Sequence, residues 1–148
     1  MGRAPPSSPR GARTSVVAYR VPFFDTDAMR VVHHANYVRY FELARVLWMD
    51  EHHRPYRDYV DAGLHFATTH VEVDYHRPAA YDDALEIETW PEWVRGASLR
   101  MVYVIRCRDE HLVTGATEHA MVDDAKGRPR RIPREWRDKL AATLGEAQ

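Results

Sequence analysis

Between Thr14 and Phe24 the chain alternates, with Val17, Tyr19, Val21 and Phe23 falling on one side. A period of two predicts a strand with one covered face. From about Ala35 to His52 the period changes: Tyr37, Phe41, Ala44 and Trp48 recur at helical spacing, and Tyr40, Leu43 and Leu47 widen the stripe. Arg39, Glu42 and Arg45 fall among them, and neither Gly nor Pro interrupts the run. So broad an apolar face predicts a long helix wrapped by the rest of the fold.

Four further strands are expected downstream. FATTHVEVDYHR sets Val71, Val73 and Tyr75 against His70, Glu72 and Asp74, and PAAYDD supplies the turn after it. In ALEIETWPEWV, Leu85 and Ile87 share a face, while Pro91 predicts an edge position or a bulge. ASLRMVYVIRCRD points Leu99, Met101, Tyr103, Ile105 and Cys107 inward and Arg100, Arg106 and Arg108 outward. HLVTGATEHAMVDD completes the set, DDAKGRP turns, and Pro133 is expected to open a short C-terminal helix, PREWRDKLAATL. His53 to Leu64, with Pro55 and Gly63 as breakers, reads as irregular. One helix cannot cover both faces of a five-stranded sheet, so the sheet must curl around it, pair with a partner, or both. The pattern predicts an α+β domain over residues 14–148, and an oligomer.

Composition narrows the function classes. A length of 148 residues suits one domain. The Pro, Ser, Gly and Arg content of residues 1–13 cannot build a core, and predicts a disordered tail. A formal charge of −1 gives the whole molecule no attraction to nucleic acid or anionic lipid. The single cysteine, Cys107, excludes an internal disulfide and suits a reducing compartment. No run approaches the roughly 18 apolar residues of a membrane span. The N-terminus lacks the apolar core of a secretory signal, so a cytoplasmic protein is expected.

The candidate chemistry lies in Phe24-Asp25-Thr26-Asp27-Ala28-Met29-Arg30-Val31-Val32-His33-His34-Ala35-Asn36-Tyr37. This stretch sets a carboxylate a few residues before an apolar helix. The first helical turn leaves N–H groups unpaired and carries partial positive charge, so it can hold the oxyanion formed when a thioester carbonyl is attacked. A nearby carboxylate can attack that carbonyl or activate water to do so. An Asp before a helix is, against that, ordinarily a turn or cap residue.

The same stretch, continued as Val38-Arg39-Tyr40-Phe41-Glu42-Leu43-Ala44-Arg45, resembles the signature of the 4-hydroxybenzoyl-CoA thioesterase family, including its Tol-Pal-associated acyl-CoA branch. Val73-Asp74-Tyr75-His76-Arg77-Pro78-Ala79 and Tyr81-Asp82-Asp83-Ala84-Leu85 resemble that family's strand–turn–strand segment. The resemblance implies a hotdog fold, a homodimer or homotetramer, and acyl-CoA as substrate with no cofactor. It maps the catalytic carboxylate onto Asp27 and the carbonyl-polarising N–H onto His34, whose ring either orients the thioester or a water, or shapes the pocket. Arg30, Asn36 and Tyr37 map to the substrate side of the site. Arg30 stands where the family has Gly; if φ is positive there, the cost is about 1–2 kcal/mol. Alternatively, Arg30 is placed to meet a phosphate or an acyl carboxylate.

Blander readings stand beside these. Asp25 reads as a turn cap, or as a like charge raising the pKa of Asp27. Glu42, flanked by Arg39 and Arg45, reads as a helix-surface ion pair, with reserve standing as the catalytic acid. Nine histidines show no metal-binding spacing, so no metal is expected. Cys107, Trp48, Phe66 and Tyr103 read as core, and the basic run from Lys126 to Arg137 as a solvated face rather than a CoA-phosphate or nucleic-acid site. A hydratase or dehydratase using Asp27 and His34 and a non-catalytic acyl-CoA-binding module are the competing functions.

Overall fold

The computed structural model describes residues 3–147; Met1, Gly2 and Gln148, at the ends of the expected tail and domain, lie outside the described residues. Strand β1 (Ser15–Arg20) leads through a single 3-10 turn (Phe23–Asp25) to helix α1 (Asn36–His52) and a short helix α2 (Tyr56–Ala62). Strands β2 (Leu64–Tyr75), β3 (Ala84–Val94), β4 (Ser98–Cys107) and β5 (Glu110–Asp123) follow, then β6 (Arg128–Pro129) and α3 (Arg134–Ala141). The five main strands form one antiparallel sheet in the order β1-β3-β4-β5-β2, with β6 pairing to β5.

This sheet curls around α1, one of the two solutions that the pattern allowed. Tyr37, Tyr40, Phe41, Ala44 and Trp48 of α1 are buried against Leu85, Ile87, Met101 and Tyr103. The Phe41 ring stacks on Tyr103 with centroids 4.3 Å apart. Gly115 of β5 makes that approach possible, because a Cβ there would come within 2.7 Å of the Phe41 ring. Trp48, Phe66 and Tyr103 are core, as read from the sequence, and Cys107 is half-buried with its thiol pKa raised chiefly by burial.

One segment differs from the pattern. The segment read as irregular contains α2: Pro55 stands at its N-cap and Gly63, at φ +69, closes it. The two supposed breakers are therefore the helix's own start and stop signals, which a seven-residue helix leaves almost no periodicity to reveal. Both settings expected for Pro91 are found: β1 pairs with β3 only as far as Thr89, which leaves Pro91 open on that side, and the register with β4 shifts between Pro91 and Trp93.

The chain ends meet. The Arg13 amide donates to the Thr143 carbonyl at 3.0 Å, the Glu146 amide to the Arg10 carbonyl at 2.9 Å, and the Trp48 indole to the Arg13 carbonyl at 2.9 Å.

Candidate active site

Between the 3-10 turn and α1 the chain makes a small hairpin. Thr26 bridges to Val32, and Val31 to Ala80 in the loop after β2. At its tip the Arg30 amide donates to the Asp27 carbonyl and the Asp27 amide to the Val31 carbonyl, each at 2.9 Å. Such loops commonly close on a left-handed residue, usually glycine. Here that residue is Arg30, at φ +67. The φ there is positive, the case in which a side chain carries a cost, and the Arg30 side chain is exposed.

The tip aims Asp27. Its Oδ1 accepts the Met29 amide at 2.8 Å, a local bond of the kind aspartate forms in turns. Oδ2 makes no hydrogen bond among the described residues. Asp27 lines an open cavity of about 280 Å³ whose walls include Val31, Val32, His34, Tyr37 and Tyr75.

His34 stands two residues before α1. The His33 carbonyl accepts the Asn36 amide at 2.9 Å, as in a helical turn. In a trans peptide the N–H opposes the C=O, so the His34 N–H points out past the helix start. Among the described residues it has no partner. The next peptide is held at both ends: Tyr75 Oη donates to the His34 carbonyl at 2.9 Å, and the Ala35 amide donates to His33 Nδ1 at 3.1 Å. The His33 and His34 rings stack with centroids 4.2 Å apart. A free N–H at the start of a 17-residue helix combines an unpaired donor with the positive end of the dipole.

The structure sorts the remaining candidates. Tyr37 lines the cavity, but its hydroxyl is engaged, accepting the Ala79 amide at 3.2 Å; burial raises its pKa. Asn36 faces the opposite way, donating to the Asp25 carbonyl at 2.8 Å and accepting from Arg39 at 3.0 Å. Neither Asn36 nor Arg30 is among the cavity's lining residues. Glu42 is exposed and pairs with Arg45 at 3.6 Å, beside a separate recess lined by Thr68 and Thr117. Arg39 turns away from Glu42 and toward Asp25.

Asp25 is neither a simple turn cap nor a second acid in the cavity. Its side chain is buried, and Oδ2 accepts the hydroxyls of Tyr19 at 2.8 Å and Tyr40 at 2.6 Å. Burial first, then the bond to Asp25, pushes the Tyr40 pKa up. Its carbonyl takes the His33 amide and the Asn36 side chain, so one residue ties β1, the Asp27 hairpin and α1 together. Tyr75, His76, Arg77 and Pro78 also line the cavity, residues to which the sequence pattern assigns no site role. The strand–turn–strand motif that contains them was the available signal.

The fold is a hotdog, and Asp27 and His34 line one cavity at the start of its central helix. The family profile of the Thioesterase-like superfamily matches residues 21–142, and the chain belongs to that family. Among its relatives, the acyl-CoA thioester hydrolase YbgC of Escherichia coli is 35% identical over 116 residues, 78% of this chain and 87% of that one. Among solved structures, one from Aquifex aeolicus superposes with a TM-score of 0.80 at 32% identity, covering 85% of this chain and 98% of the other. The DHNA-CoA thioesterase of Staphylococcus aureus superposes with a TM-score of 0.82 at 26% identity, covering 87% of each chain. No helix of the described residues is long and apolar enough to cross a membrane.

Proposed function

We propose that this protein hydrolyses acyl-CoA thioesters to the free acid and CoA, with Asp27 as the catalytic carboxylate. One observation carries the reading: Asp27 and His34, whose N–H has no partner among the described residues, line the same cavity. A thioester carbonyl seated between them receives attack from one side and charge stabilisation from the other. Attack by Asp27 itself gives a tetrahedral intermediate to whose oxyanion the His34 amide donates; collapse expels the CoA thiolate, and water cleaves the resulting anhydride. As a general base, Asp27 instead takes a proton from the attacking water. Both routes use the carboxylate ionised and the same oxyanion donor. The relatives named as acyl-CoA thioesterases support the substrate class.

The working unit we propose is a homodimer in the cytoplasm. Strand β2, 12 residues long, lies at a sheet edge, and its residues 67–72 are exposed. A long uncovered edge is a template for pairing with another strand. It ends in Tyr75, a wall of the cavity, so pairing there encloses the site.

The test is thiol release from benzoyl-, short-chain and long-chain acyl-CoAs, in a Cys107→Ser background that silences the protein's own thiol. Cleavage of one class supports the assignment and names the acyl group. Inertness toward all three, with enoyl-CoA hydration in its place, would overturn it.

A further inference from the structure

The side of the sheet facing away from α1 carries an apolar patch of its own. Trp90 of β3, Val102 of β4 and Ala116 of β5 stand in one row of the register, with Val104 and Thr114 in the next. Trp90, Val102 and Val104 form a cluster separate from the core, only 2%, 8% and 0% exposed. Ion pairs of both signs ring the patch. Arg100 bonds to Glu72 at 2.7 Å and Glu118 at 2.8 Å, and also to Glu92; Arg106 bonds to Glu88 at 3.0 Å. An apolar centre inside a charged rim is the anatomy of a protein interface.

What covers the patch is the chain's own N-terminal arm. Pro6 and Pro9, with Leu144 to Ala147, bound a cavity of about 450 Å³ over Trp90 and Val102. Arg3, Ala4 and Pro6 bound another, of about 380 Å³, over Val102, Thr114 and Ala116. The arm is pinned at its base by the bonds of Arg10 and Arg13 to Glu146 and Thr143. Beyond that base, no hydrogen bond joins residues 3–8 to the sheet among the described residues. Fastened at one end and separated from the sheet by voids, it is built to lift.

We propose that the arm is an intramolecular strap that sets the oligomeric state: seated, it denies the outer sheet face to a second copy of this chain, and lifted, it lets two such faces dock. A second copy is the partner the rim selects. With Arg100 and Arg106 set among Glu72, Glu88, Glu92 and Glu118, the rim carries both signs, the charge pattern a self-complementary twofold contact needs. The inference does not depend on the thioester chemistry.

Gly145 offers a handle. It lies at φ +77, and a Cβ there would come within 2.5 Å of the Ala12 amide nitrogen and 2.8 Å of the Arg10 carbonyl. Gly145→Val therefore dislodges the base of the strap. A second full-length variant, with Pro5, Pro6 and Pro9 all changed to Gly, loosens the arm without touching the core. Light scattering over a concentration series should show a rise in one or both variants toward twice the wild-type mass, and adding Val102→Glu should restore the wild-type mass. Wild-type mass in both variants at every concentration overturns the proposal. So does a rise that Val102→Glu leaves intact, because association would then use another surface.

Discussion

Tyr75, the last residue of β2, donates its hydroxyl to the carbonyl of His34 at 2.9 Å, tying the sheet to the peptide at the mouth of α1. Through that bond the strand holds the segment carrying the free His34 N–H. Tyr75→Phe removes the donor and keeps the ring that packs against Tyr37 at 5.6 Å. We expect kcat to fall by roughly 3- to 10-fold, because a neutral hydrogen bond is worth about 0.5–1.5 kcal/mol. KM should change little, and the melting temperature should drop by only a few degrees. Steady-state kinetics beside a thermal melt checks both halves.

Arg30 occupies a left-handed conformation that an L side chain adopts at a cost. Arg30→Gly should stabilise the fold by about 1 kcal/mol, the strain relieved outweighing the extra freedom of glycine in the unfolded chain. Denaturant midpoints with an unchanged m-value test it. If Arg30 also meets a substrate phosphate or carboxylate, the same variant raises KM for acyl-CoA while gaining stability.

Asp25 and Asp27 lie two residues apart and should fail in opposite ways. Asp25→Ala leaves the hydroxyls of Tyr19 and Tyr40 without their acceptor, and should destabilise by about 2–4 kcal/mol. The Asp27 side chain, bonded among the described residues only to the Met29 amide, carries little of the fold. Asp27→Asn should therefore melt within a few degrees of wild type, and Asp25→Ala well below it.

Two buried histidines set the acid limit. Burial, with Arg45 beside it, lowers the His119 pKa to about 3; burial, with Arg54 and Lys139, lowers that of His53 to about 4. In the unfolded chain both titrate near 6.5, so between about 6.5 and 4 the unfolded state binds more protons than the folded one. The contribution of these two histidines should be flat above pH 7 and fall as the pH drops through that window, by on the order of 3 kcal/mol per histidine at its lower end. Chemical denaturation from pH 7.5 to 4.5 reads the slope. His119→Gln should flatten it by about half.

Much of this molecule was legible because its signals are local and repeated. The stripe from Tyr37 to Trp48 marked a wrapped helix, and the alternation in β4 separated Leu99, Met101, Tyr103 and Ile105 from Arg100 and Arg106. The Asp27 segment was legible as a motif, and Arg30 as its departure. What escaped depends on long-range packing. Asp25 becomes an anchor only when Tyr19 and Tyr40, 6 and 15 residues away, are folded onto it. Val102 and Val104 look like ordinary strand filling beside the arginines, and nothing in residues 3–9 says which surface they will cover. Tyr75 belongs to the site only because β2 ends beside the start of α1.

The central claim is that Asp27 does the chemistry opposite the His34 amide, and the most direct measurement is single-turnover thiol release by Asp27→Asn, with binding of the same acyl-CoA measured in parallel. The account predicts wild-type affinity and a rate reduced by 10³-fold or more, at least what loss of one oxyanion donor costs, roughly 10²- to 10³-fold. A rate within about tenfold of wild type at equal affinity would contradict it, and would move the chemistry to another carboxylate, Glu42 first.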